Sequence, residues 1–132
     1  MKVLCVCFAN VNRSPRAART LLKIVRERGI EDVEVSSAGT EAWRVKDADK
    51  MEKRYGIRST TQVTTEMLLD ADIIVALDGS VAWDLVNVFG APQSKVANLT
   101  IPDNFTKLKG NIDTLDMLLE RELPKVLDFL RE

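Results

Sequence analysis

Apolar positions along this chain alternate between two rhythms. Lys2–Cys7 is a near-continuous apolar run after its first residue, the pattern of a strand buried on both faces. Residues 15–28 then switch to helical spacing, and Gly29 supplies the stop. A second strand is predicted over 33–37, with Val33 and Val35 on one face. Residues 47–55 have helical character with Gly56 after them, and 64–70 open on Thr-Thr-Glu, a capping signal for a short helix. The β-branched run at 73–77 fits a central strand, followed by a helix from about 81 to 88 and a fourth strand at 95–99. Leu115, Leu118, Leu119, Leu123, Val126, Leu127 and Leu130 recur at helical spacing through 112–131, where Pro124 should kink or split the helix because it lacks an N–H and crowds the preceding turn.

Strands that alternate with helices imply an α/β fold: a parallel sheet covered by helices on both faces, three layers in all. With four strands, the flavodoxin-like order 2-1-3-4 is the simplest right-handed solution. No repeat, low-complexity tract or linker interrupts the pattern, so residues 1–132 are expected to form one domain. Ligands in such sheets bind beyond the carboxyl ends of the strands, at the switch in strand order. The residue that β-strand 1 delivers there is Cys7.

Composition narrows the possible chemistry. The chain is 45% hydrophobic, enough at this length for a core that buries about two-thirds of the unfolded surface. Nineteen basic and twenty acidic residues leave a net charge of −1, which provides no general pull toward nucleic acid or an anionic membrane. The apolar opening run is too short to span a bilayer and lacks a cleavage pattern, so a cytoplasmic location is expected. The two cysteines, Cys5 and Cys7, stand too close to staple a secreted fold, and a reducing compartment keeps them as thiols. With no histidine and no third cysteine, the chain offers no ligand set for a tetrahedral metal, and neither a metal nor a cofactor is expected.

The candidate chemistry lies in Cys7-Phe8-Ala9-Asn10-Val11-Asn12-Arg13-Ser14-Pro15, between the first strand and the first helix. A cysteine followed six residues later by an arginine is a weak signal alone; its context sharpens it. The unpaired amides of the helix start and the positive end of its dipole converge on this loop, which makes it an anion cradle. Amides of Phe8, Ala9, Asn10, Val11, Asn12, Arg13 and Ser14 would line the cradle, and the guanidinium of Arg13 would add a bidentate fork for phosphate oxygens. The same positive field favours the thiolate at Cys7, the nucleophilic form. Cys5, by contrast, lies mid-strand and is read as a small core residue.

These residues resemble the low-molecular-weight protein tyrosine phosphatases. Their signature of strand, Cys, five residues, Arg-Ser-Pro and helix is met in register, with further matches at Ser37-Ala38-Gly39-Thr40, Trp43, Gln62-Val63-Thr64, Ala71-Asp72-Ile73-Ile74 and Asp103. The resemblance implies that Cys7 attacks phosphorus, that Arg13 and the loop amides hold the oxygens, and that a cysteinyl-phosphate forms. It also implies that Ser14 hydrogen-bonds the Cys7 sulfur and that Asn10, supported by Ser37, braces the loop. Asp103 would protonate the leaving phenolate and then activate water; an ordinary turn aspartate is the alternative. Trp43 and Phe105 would wall a pocket for the phenyl ring of a phosphotyrosine protein or other aryl phosphate, with gap filling as the alternative for Trp43. Asp78, the rival acid, is read as a helix N-cap.

The sequence departs from the family at four places. Ala9 stands where the family usually has glycine, and Asn12 where a second cysteine is frequent, leaving Cys5 as the one other thiol. The acid motif reads Pro102-Asp103-Asn104, and the stretch between Gly56 and Gln62 is short and lacks histidine. Three other functions fit the loop: an arsenate reductase that relies on an external thiol, a phosphocysteine carrier, and a phosphate-binding module without turnover.

Overall fold

The computed structural model describes residues 1–8, 13–42, 61–101 and 112–130. Strands β1 (Lys2–Cys7), β2 (Glu34–Gly39), β3 (Ile73–Ala76) and β4 (Val96–Asn98) form one sheet in the order β2-β1-β3-β4. Every neighbouring pair is parallel. The helices are α1 (Arg13–Glu27), α2 (Thr65–Asp70), α3 (Gly79–Asn87), α4 (Ile112–Glu122) and α5 (Val126–Leu130). This is the expected α/β architecture and strand order. The helix expected over 47–55 lies outside the described residues.

Side chains alternate across the sheet, so each strand feeds two cores. Val3, Cys5, Cys7, Ile73, Val75, Leu77, Ala97 and Leu99 pack against α1 and the C-terminal helices, through Leu21, Val25, Leu119, Leu123 and Val126. Leu4, Val6, Ile74 and Ala76 face the other way, onto Leu68 of α2 and Val81 and Leu85 of α3. All four residues of β3 are buried, which explains its unbroken Ile-Ile-Val-Ala run. Each fully buried aliphatic side chain contributes about 1.5–3 kcal/mol through removal from water.

Local chemistry sets the element ends. At the end of α1, Gly29 adopts φ 67°. Its amide donates to Arg26 O at 3.1 Å and that of Ile30 to Val25 O at 2.9 Å, a Schellman closure that glycine enters without steric cost. The Thr64 side chain accepts from the Met67 amide at 3.2 Å and so caps α2. Pro124 falls in a one-turn 3₁₀ segment, Leu123–Lys125, that separates α4 from α5, the split its missing donor requires. α1 begins two residues earlier than its apolar spacing suggests, so Arg13 and Ser14 belong to its first turn. β2 runs on to Gly39, because Gly39 pairs with Cys7 on one side and bridges to Gln62 on the other.

Candidate active site

The carboxyl end of β1 is clamped by its neighbours. From just beyond β3, the Leu77 amide donates to Val6 O at 3.0 Å; from beyond β2, the Thr40 amide donates to Cys7 O at 3.0 Å and the Glu41 amide to Phe8 O at 2.7 Å. The strand therefore delivers Cys7 to a fixed point, 3% exposed, while Phe8 emerges at 41% exposure. The helix that follows starts at Arg13, so the positive end of its dipole lies close in sequence to the sulfur.

Cys7 Sγ lies 3.0 Å from Ser14 Oγ, and Ser14 Oγ donates to the carbonyl of Ala38 at 3.2 Å. Both contacts are buried, and the hydroxyl has one proton to share between them. While Ser14 donates to Ala38, the sulfur must be the donor in the first contact, as a thiol. An ionised sulfur can only accept, so the hydroxyl then turns from the carbonyl toward the sulfur. Ser14 can therefore serve either protonation state of Cys7 without moving its oxygen.

Arg13 is 4% exposed. Its Nη1 donates to Asp78 Oδ2 at 2.7 Å and to the carbonyl of Ile101 at 2.9 Å. A guanidinium is planar, so two bonds at one nitrogen fix the rotation of the whole fork. Burying this cation without a carboxylate would cost several kcal/mol, and Asp78 offsets that cost at the site itself.

Cys5 faces the same core two residues back, at 0% exposure. Burial, and secondarily the neighbouring Cys7, pushes its thiol up to about 12, so it stays protonated and inert. Ser37 pairs in register with Cys5, two residues before the strand end, and is half-buried. Its neighbour Ala38 offers the carbonyl that accepts from the Ser14 hydroxyl. Ala9, Asn10, Val11, Asn12, Trp43, Asp103 and Phe105 lie outside the described residues.

Asp78 is the residue whose reach the sequence concealed. It caps α3 as expected, with Oδ1 accepting the Val81 amide at 2.8 Å, but its second oxygen holds Arg13. The available signal was topological: Asp78 follows shortly after the strand next to β1, where a buried arginine needs a carboxylate.

A family model described as low molecular weight phosphotyrosine protein phosphatase matches residues 2–123. The chain belongs to this family. Among curated members of the low molecular weight phosphotyrosine protein phosphatases, a protein named PtpA from Staphylococcus epidermidis is 34% identical over 82 residues, 57% of this chain and 53% of that one. The chain thus spans about half the length of the staphylococcal relatives it matches. The low molecular weight phosphotyrosine protein phosphatase 1 of Drosophila melanogaster is 27% identical over 128 residues, 91% of this chain and 81% of that one. Among solved structures, one described as a Drosophila arginine phosphatase superposes with a TM-score of 0.73 at 24% identity, covering 100% of this chain and 99% of that one. That likeness is one of fold.

Among the described residues, no three histidine, cysteine, aspartate or glutamate side chains come together to hold a metal ion, and no helix is long and apolar enough to cross a membrane.

Proposed function

We propose that this chain is a phosphoric monoester hydrolase of the protein tyrosine phosphatase type, with Cys7 as nucleophile. The observation that carries this reading is the contact of Cys7 Sγ with Ser14 Oγ at 3.0 Å, beside an Arg13 whose orientation is already fixed by Asp78 and Ile101. Such an arrangement prepares a sulfur and an oxyanion-binding cation before substrate arrives, so little reorganisation remains for the transition state.

In this mechanism the Cys7 thiolate attacks phosphorus and the bond to the leaving aryl oxygen breaks. Arg13 and the amides of residues 8–14 hold the equatorial oxygens, while Asp103 gives its proton to the departing phenolate. The S–P bond of the resulting cysteinyl-phosphate then breaks as water attacks. Asp103, now a carboxylate, takes the proton of that water, and inorganic phosphate leaves. Ser14 stabilises the sulfur each time it carries charge. Asn10 braces the loop with help from Ser37, and Trp43 and Phe105 flank the ring of the substrate. The exposed aromatic side chain of Phe8, next to the nucleophile, adds support for an aryl substrate such as a phosphotyrosine protein. No disulfide joins Cys5 and Cys7, which suits a cytoplasmic enzyme.

The arginine phosphatase among the structural neighbours motivates a second substrate class, phosphoarginine, in which the Cys7 thiolate would attack phosphorus as the P–N bond breaks and the guanidino nitrogen leaves. Turnover of p-nitrophenyl phosphate, a phosphotyrosine peptide and a phosphoarginine peptide by wild type, Cys7→Ser and Asp103→Asn tests the reading. Cys7→Ser should abolish turnover, and Asp103→Asn should reduce it by ~100-fold or more. Equal activity in all three would refute an enzyme built on these residues. A phosphoprotein that forms but never hydrolyses would identify a carrier, and reduction of arsenate by an added thiol would identify a reductase.

A further inference from the structure

Glu122 ends α4 and is 4% exposed, an unusual place for a carboxylate. The C-terminus of a helix carries partial negative charge, so the local dipole opposes an acid there. What the carboxylate does is grip two partners: Lys125 Nζ donates to Oε2, and Thr100 Oγ1 donates to Oε1 at 2.8 Å.

Thr100 lies one residue before Ile101, whose carbonyl receives Arg13 Nη1 at 2.9 Å. On the sheet side, this segment is pinned by two backbone bonds, Leu99 N to Ala76 O and Ile101 N to Leu77 O, both 2.8 Å. On the helix side, the Thr100 to Glu122 bond holds it. The carbonyl that orients Arg13 thus sits on a strand extension anchored from both sides, and Ile101 itself is 0% exposed. Cutting the helix-side anchor lets the 100–101 backbone rotate about its sheet bonds, and the Arg13 fork follows its acceptor.

We infer that Glu122 and Thr100 are positioning residues for oxyanion binding: they fix the Ile101 carbonyl, and through it the Arg13 guanidinium. This inference rests on the reading of Arg13 as the phosphate-holding side chain. It predicts coupling between the C-terminal helix and the anion site although neither residue touches the anion.

The test compares wild type with Thr100→Val, Thr100→Ser, Glu122→Gln and Glu122→Leu, each well below its own melting temperature. The affinity for inorganic phosphate is read from protection of Cys7 against iodoacetamide, alongside kcat and KM for p-nitrophenyl phosphate. Thr100→Val, which keeps shape but loses the hydroxyl, should weaken phosphate binding by about 10-fold and raise KM more than it lowers kcat. Thr100→Ser should recover most of the affinity. Glu122→Gln, whose amide oxygen can still accept, should bind phosphate better than Glu122→Leu. Wild-type affinity in Thr100→Val with only a lower melting temperature would overturn the inference and leave Glu122 a purely structural tie. If Thr100→Val does not fold, equal affinities in the two Glu122 variants would overturn it equally. Absence of phosphate protection in wild type would instead strike at the role of Arg13.

Discussion

Arg13 and Asp78 are joined by a 2.7 Å ion pair in which the guanidinium is 4% exposed and the carboxylate 24%. Because the other oxygen of Asp78 accepts the Val81 amide at 2.8 Å, one side chain fixes both the arginine and the start of α3. The two tasks can be separated. Asp78→Asn keeps an N-cap of nearly equal strength but removes the charge, whereas Asp78→Ala removes both. Melting temperature should fall clearly less in Asp78→Asn than in Asp78→Ala, where loss of the cap adds about 1 kcal/mol. Both should lose on the order of 10-fold or more in kcat/KM for an aryl phosphate, since each leaves Arg13 without its charged anchor. Thermal melts and steady-state kinetics on the two variants check the separation.

Ser14→Ala removes the hydroxyl that stands 3.0 Å from the Cys7 sulfur. Chemistry should slow by ~10–100-fold, because a charge-assisted hydrogen bond to the sulfur contributes about 1.5–3 kcal/mol. Phosphate affinity, which the proposed function assigns to Arg13 and the loop amides, should change much less. A kcat fall with nearly constant phosphate inhibition constant is the expected kinetic pattern.

The parts of this fold that could be read from sequence are those where local pattern and burial agree. The Val-Leu-Cys-Val-Cys and Ile-Ile-Val-Ala runs became strands buried on both faces, and Pro124 split the C-terminal helix where its missing N–H demanded. The contact between Cys7 and Ser14 was expected from the resemblance to the phosphatase family and not from spacing, and the two side chains do meet, at 3.0 Å. β2 was read too short: Ala38 and Gly39 carry no β-branched side chain, and their pairing with Val6 and Cys7 is a tertiary fact. The double duty of Asp78 was hidden for a related reason. Its helix cap explains it locally, while its ionic partner is 65 residues away. Nothing local links Glu122 to Thr100 either, 22 residues apart and brought together only when α4 packs on the sheet.

Cys5 and Cys7 share one strand face but should differ sharply in reactivity. Burial pushes the Cys5 thiol up to about 12, so iodoacetamide should label only Cys7 in the folded protein at neutral pH, and both residues after denaturation. Cys5→Ala should cost about 1–2 kcal/mol from the small void it leaves. Peptide mapping after labelling checks the first expectation and denaturant melts the second.

Glu122 links stability to pH. Hydrogen bonds from Lys125 first and Thr100 second hold its carboxyl below the usual range. A depressed folded-state value means that the unfolded chain binds the proton more readily. The stabilisation is therefore complete above the unfolded value of about 4.3 and is lost as pH falls through the lower folded value. Wild type should lose stability more steeply than Glu122→Gln below about pH 4.5, and the two should run parallel above about pH 6. Urea melts across that range measure the difference.

The account depends most on a covalent bond between phosphorus and the Cys7 sulfur. Rapid mixing with an aryl phosphate, acid quench and peptide mass analysis during the first turnover read it directly. A phosphoryl group on the peptide that contains Cys7, formed as fast as the aryl alcohol appears and absent in Cys7→Ala, is the predicted result. Hydrolysis that proceeds with no phosphoryl group on Cys7, and survives in Cys7→Ala, would contradict it.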